Sequence, residues 1–141
     1  MGTVPQQYFD FIMDYAPYFY VIPGTGVDPE WARGPAAAAH AIDFLTEAYQ
    51  SSQFESQKTD VYNKIVELAN YLVSIQCTDD GKLAYGGFQS KDGSTDYFSI
   101  DAMRAVPALL KAYNLTGTTA YLDAATLAGE TFLYNMQHKP S

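Results

Sequence analysis

Apolar residues along this chain recur at helical spacing, and no stretch alternates apolar and polar residues for long. That periodicity predicts helices and argues against a strand-based fold. It is clearest in DVYNKIVELANYLVSIQ (60–76), where Val61, Ile65, Leu68, Leu72 and Ile75 follow at intervals of four, three, four and three and make one amphipathic face. Upstream, GPAAAAHAIDFLTEAYQ (34–50) places Pro35 at a first helical position, followed by strong helix formers. Its expected stripe is Ala37, Ala41, Phe44, Leu45 and Ala48. Between the two, SSQFESQKT (51–59) predicts a polar turn.

The same reading extends to both ends. Residues 5–16 predict a short helix with Pro5 in its first turn, with Phe9, Ile12, Met13 and Ala16 on one face, and with Pro17 ending it. VIPGTGVDPEWARGP (21–35) holds three prolines and three glycines and predicts a loop. Trp31 in that loop is expected to staple the N-terminal segment onto the helices that follow. After a long connector, a helix is expected over 100–114, with Ser99 as N-cap and with Pro107 kinking or breaking it. Gly117 is placed to end it. AYLDAATLAGETFLYNMQ (120–137) predicts the last helix, with Leu122, Ala125, Gly129, Phe132 and Met136 on one face.

These helices come as two similar pairs. Ala-Tyr closes the first helix of each, at 48–49 and 112–113. An aromatic-Leu pair followed four residues later by Gln closes each second helix, in YLVSIQ at Gln76 and in FLYNMQ at Gln137. The expected fold is therefore all-α, with two stacked antiparallel αα-hairpins in a single helical domain over 1–141. Residues 1–35 form an N-terminal capping segment with a short helix, 36–76 hairpin 1, 77–99 a long loop and 100–137 hairpin 2. Tyr49 and Tyr113 are expected in equivalent places.

Composition narrows the function. A chain of 141 residues with 48% hydrophobic and 17% charged residues suits one globular domain with a real core. The net charge is −8 and the eight Lys and Arg are scattered, so neither nucleic acid nor an anionic membrane is an expected partner. Cys77 is the only cysteine, which rules out an internal disulfide. It reads as a small buried hydrophobe. His40 and His138 lack metal-ligand spacing, so no metal and no other cofactor is expected. The start, MGTVPQQ, does not read as a signal peptide. YFDFIMDYAPYFYVIPG is interrupted by Asp10, Asp14 and Pro17 and is too short to span a bilayer. Asn-Leu-Thr at 114–116 matches a glycosylation acceptor, a pattern that acts only in a secretory context. Twelve Tyr, eight Phe and one Trp supply either a core of large rings or a surface on which a flat ligand such as a sugar stacks.

Helical pairs ending in aromatic-Leu-x-x-x-Gln, with Gly86-Gly87-Phe88 in the intervening loop, resemble the α/α toroids. That group includes terpenoid cyclases, protein prenyltransferases, six-hairpin glycosidases and polysaccharide lyases. GETFLYNMQ (129–137) is similar to the first half of the cyclases' Gln/Trp motif, and the resemblance covers roughly 36–137. The catalytic signatures do not carry over. No Asp-x-Asp-Asp cluster is present, Asp79-Asp80 is a bare pair, and Cys77 lacks the neighbours of the prenyltransferase zinc site. Two hairpins do not close a toroid, so the resemblance implies a piece of a longer protein, or a unit completed by further domains or by a homo-oligomer. Leu122, Phe132 and Leu133 on the flank of the last helix are the expected contacts.

In such toroids the long connectors line the mouth of the pocket, which directs attention to CTDDGKLAYGGFQSKDGSTDYFSID (77–101). Two facing carboxylates, Asp96 and Asp101, would serve as acid and base of a glycosidase-type or lyase-type reaction. Tyr85, Phe88 and Tyr97 would form a sugar platform, Asp92 would add a polar contact, and Arg104 would pair with a uronate or with Asp101. The competing reading makes the aspartates turn and cap residues and the rings core. Two functions follow. One is a module of a carbohydrate-active toroid-like protein that binds or cleaves a saccharide, or another small ligand, at its loop face. The alternative is a non-catalytic helical scaffold in a larger assembly.

Overall fold

The chain folds as its helical periodicity dictates, and the first helix pair shows why. In the computed structural model, which describes residues 4–18, 21–22, 26–27, 34–91 and 93–138, Gly34 is extended and Pro35 opens α2 (Pro35–Gln50). A short 3₁₀ turn (Ser52–Gln57) leads into α3 (Lys58–Ser74). Before them lie α1 (Gln6–Tyr15) and a two-residue antiparallel pair, β1 (Val21–Ile22) with β2 (Gly26–Val27). After them come α4 (Ser99–Thr116) and α5 (Thr119–Leu127), then a π-helical turn (Ala128–Leu133) and α6 (Tyr134–His138). The fold is all-α. No helix among the described residues is long and apolar enough to cross a membrane. Trp31, Phe19 and Asp92 lie outside the described residues.

The second helix is the hub. Both α3 and α4 pack against α2, and Tyr8 of α1 sets its ring edge-on to Phe44 at 4.8 Å. Its buried residues are therefore not one stripe: Ala36, Ala38, Ala39, Ala41, Ile42, Leu45 and Ala48 are all inside. Small side chains let neighbouring helix axes come close on two sides. The expected stripe omits Ala38 and Ile42, because periodicity within one helix does not report how many neighbours it has. By contrast, α3 buries Val61, Ile65, Leu68 and Leu72 as its spacing predicts. Tyr121 on α5 reaches α3, where its hydroxyl donates to Asn70 Oδ1 at 2.8 Å. That bond satisfies a phenol that the core otherwise encloses.

The stretch 51–59 is more than a polar turn. Phe54 is buried within it and stacks on Phe9 of α1 at 4.0 Å. Beside that stack, the Gln53 amide pairs with the Val4 backbone: Val4 N–H donates to Oε1 at 3.0 Å, and Nε2 donates to Val4 O at 2.7 Å. The N-terminal helix is thereby fastened to the first helix pair through Phe9, while Phe11 stays largely exposed.

The expected cap of α4 and the expected break at Pro107 are corrected. Ser99 is its first helical residue and not its cap; Phe98 holds the cap position, and no side chain caps there. Pro107 does not break the helix, which continues from Ser99 to Thr116. Proline removes one backbone donor, leaving the carbonyl four residues earlier, that of Met103, without it. Met103, Arg104 and Pro107 all lie on the exposed side, where solvent can reach that carbonyl. Gly117, with φ +72°, ends the helix as expected, its N–H bonded to Tyr113 O at 2.7 Å. Because Pro107 is tolerated and not required, Pro107→Ala should stabilise the protein by about 2 kcal/mol. Urea unfolding followed by circular dichroism checks this; a lower midpoint in the variant contradicts it.

Candidate functional site

The connector 77–99 is held as three short extended stretches lying side by side. Residues around Gln76 pair with those around Phe88: Cys77 N–H donates to Gly87 O at 2.8 Å, Gly86 N–H to Cys77 O at 2.9 Å, and Gln89 N–H to Ile75 O at 3.0 Å. Gln89 in turn bridges to Tyr97, and Ser90 N–H donates to Asp96 O at 2.9 Å. Side chains close the turns between these stretches. Asp79 Oδ1 accepts from Gly81 N–H at 2.9 Å, which gives Asp79 the turn role open to it in the sequence. Ser94 Oγ accepts from Asp96 N–H at 2.9 Å.

One side chain binds this connector to the rest of the molecule. Gln76 Nε2 donates to Gly86 O at 3.0 Å and to Ala124 O of α5 at 2.9 Å. The glycines then meet the last helical segment directly. At Gly86 (φ +88°) a Cβ would lie 2.8 Å from Leu127 O, and at Gly87 it would lie 2.7 Å from the Phe132 ring. At Gly86 only glycine lets the two backbones approach this closely, and at Gly87 a side chain would run into the Phe132 ring. The contact falls where α5 widens into its π turn, and such turns recur at functional sites.

Between this connector and the last helical segment lies a groove of about 250 Å³. Its wall is Leu83, Ala84, Thr95, Asp96, Tyr97, Phe98, Phe132 and Met136. Phe98 is 51% exposed and Tyr97 half-buried, so ring surface is open to a ligand. The carboxylate of Asp96 has neither a hydrogen bond nor an ion pair among the described residues. A larger hollow of about 470 Å³ separates α1 from α3, with Asp10, Asp14, Asp60, Glu67 and Lys64 in its wall and no aromatic ring among its described residues, and an adjoining hollow of about 460 Å³ is lined by Tyr18 and Tyr71 beside the Lys64–Glu67 ion pair.

The structure sorts the residues singled out in the sequence. Asp96 and Tyr97 come together in the groove. Phe88 does not join them: it is 0% exposed and belongs to the core, because the pairing with Gln76 turns it inward. Tyr85 is half-buried outside the groove wall, and Arg104 is exposed and also outside it. Asp101 sits in the first turn of α4, only 9% exposed, and does not line the groove. Burial pushes its carboxyl above the ordinary value of 3.8, with the nearby Arg104 charge opposing the rise. On the last helix, Phe132 is buried, and Leu122 and Leu133 are half-buried. Leu83, Thr95, Phe98 and Met136 were missed as wall residues. The doublet Gly86-Gly87 was the available signal, since paired glycines mark a close backbone approach.

Two outcomes are expected. Gly93 also has φ +74° but open space around it, so Gly93→Ala should cost about 1 kcal/mol. Gly86→Ala meets the Leu127 backbone as well and should cost about 3 kcal/mol or more. Equal unfolding midpoints for the two variants contradict the docking of the connector on Leu127. Asp101 provides the second test. Its folded-state pKa is raised, so folding disfavours its charged form, and its contribution to stability falls as pH rises from 3.8 through the folded value. Asp101→Asn should therefore raise Tm at pH 7, and the gain should shrink as pH is lowered toward 3.8. A gain that is constant or growing toward acid in a thermal-melt series contradicts it. Comparison of the chain with protein-family models, curated proteins and solved structures finds no match.

Proposed function

We propose that this chain is a helical-hairpin module of the α/α-toroid type that binds a saccharide at its loop face. The observation that carries the reading is the groove in which Tyr97 and Phe98 adjoin the carboxylate of Asp96, which has no partner among the described residues. A sugar ring has an apolar face of C–H groups that stacks on an aromatic ring, and hydroxyls that donate to a carboxylate. A groove of about 250 Å³ holds one such ring.

The hairpin arrangement is supported by the contacts between consecutive helices, α2 with α3 and α4 with α5, and by the packing of α2 on α4. Ala48 and Ala112 are both buried, and Tyr49 and Tyr113 are both half-buried, as two copies of one unit require. Gln76 and Gln137 differ: Gln76 bonds across to α5, whereas Gln137 is exposed.

Binding without cleavage is the version the geometry favours. Glycoside hydrolysis ordinarily needs two carboxylates flanking one bond. Asp96 faces the groove, but Asp101 is enclosed in the first turn of α4. A second reading, a face for protein contact, draws on the exposed Leu83, Phe98, Ile100 and Met103 at the start of α4 and beside it. The two readings separate physically, since Ile100 and Met103 lie outside the groove wall.

Titration of the ¹⁵N-labelled chain with a panel of neutral, basic and acidic monosaccharides is expected to shift the amides of residues 83–84 and 95–98. Phe98→Ala removes an exposed ring and leaves the core intact, so it should weaken binding about fivefold. Shifts confined to the hollow between α1 and α3, or no shifts with any sugar of the panel, defeat the saccharide reading.

A further inference from the structure

The groove's charge points to the class of sugar. Among the described residues of the wall, Asp96 is the one that carries a charge, and the rest are Leu83, Ala84, Thr95, Tyr97, Phe98, Phe132 and Met136. Both backbone groups of Asp96 are engaged: its N–H donates to Ser94 Oγ at 2.9 Å and its carbonyl accepts from Ser90 N–H at 2.9 Å. The residue is held in place by its main chain, and its carboxylate is left without a partner among the described residues. The carboxylate is exposed beside aromatic surface, so a cation on a ring stacked there can take the place of its water.

We propose that the groove selects a hexosamine carrying a free ammonium group over neutral sugars and uronic acids. This rests on the saccharide reading of the groove. The ring of the amino sugar lies on Phe98 and Tyr97, and its ammonium donates to Asp96. A charge-assisted hydrogen bond is stronger than a neutral one, and because Asp96 is exposed the gain is that of a solvated ion pair. A neutral sugar offers only hydroxyl donors to the same carboxylate. A uronate brings a second carboxylate against Asp96, and Arg104 is not in the wall to compensate it. The net charge of −8 favours the approach of a cation, but it acts on any cation and does not create the local preference.

The test uses the full chain at mildly acidic pH, where the amine of the sugar is protonated. Glucosamine, methyl glucoside and glucuronate are titrated separately while the amides of residues 95–98 are followed by NMR. Glucosamine should bind about threefold more tightly than methyl glucoside, and glucuronate should be the weakest. Asp96→Asn should remove the preference for the amine, so that glucosamine and methyl glucoside bind the variant equally. Asp10→Asn, which changes net charge equally but lies in the hollow between α1 and α3, should leave the preference intact. If methyl glucoside or glucuronate binds as tightly as glucosamine, or if the preference survives Asp96→Asn, the inference is overturned while the saccharide groove stands. If none of the three sugars moves residues 95–98, the saccharide reading falls and takes the inference with it.

Discussion

The side-chain amide of Gln76 joins three segments that are far apart in the sequence. It leaves the end of α3, bonds the carbonyl of Gly86 in the long connector, and bonds the carbonyl of Ala124 in α5. An amide hydrogen bond of this kind contributes only about 1 kcal/mol net, but leaving the acceptors unmet costs more. Its larger effect is geometric. With the connector pinned at Gly86, the glycine doublet lies directly on Leu127 and Phe132, and the groove opens beside it. A leucine in place of Gln76 would preserve the apolar pattern of α3 and lose both bonds.

The same packing decides which aromatic rings and which carboxylates are available for chemistry. Phe88 and Phe98 stand ten residues apart in one connector. Phe88 is drawn inward by its pairing with Gln76, while Phe98 precedes the first turn of α4 and remains in solvent. Asp96 and Asp101 part in a similar way. Asp96 is exposed with both backbone groups bonded, and its side chain has no partner among the described residues. Asp101, two residues into α4, is enclosed against the core and its charged form is disfavoured. At the other end of the molecule, Phe9 and Phe54 form the stack that holds α1, a contact across 45 residues of chain that neither segment reveals alone.

The helices themselves were legible in the sequence because helical periodicity is local. Val61, Ile65, Leu68 and Leu72 point to one face whatever packs on it, and Pro35 and Gly117 mark helix ends through backbone geometry that each carries within itself. The all-α class and the boundaries of α2, α3 and α4 follow from such signals to within a few residues. What lay beyond them depended on partners distant in the chain. That α2 has helices on two sides, that Phe54 belongs to the core and not to a polar turn, and that Pro107 sits where water can replace its missing donor are facts of tertiary placement. The candidate site divides along the same line. The sequence by itself marked the connector 77–99 as the place to look and Asp96 and Tyr97 within it. Only the packing of that connector on α5 decided that Met136 and Phe98 complete the wall and that Phe88, Asp101 and Arg104 do not. Which side chains share a cavity depends on long-range contacts, and residue type and spacing do not encode those locally.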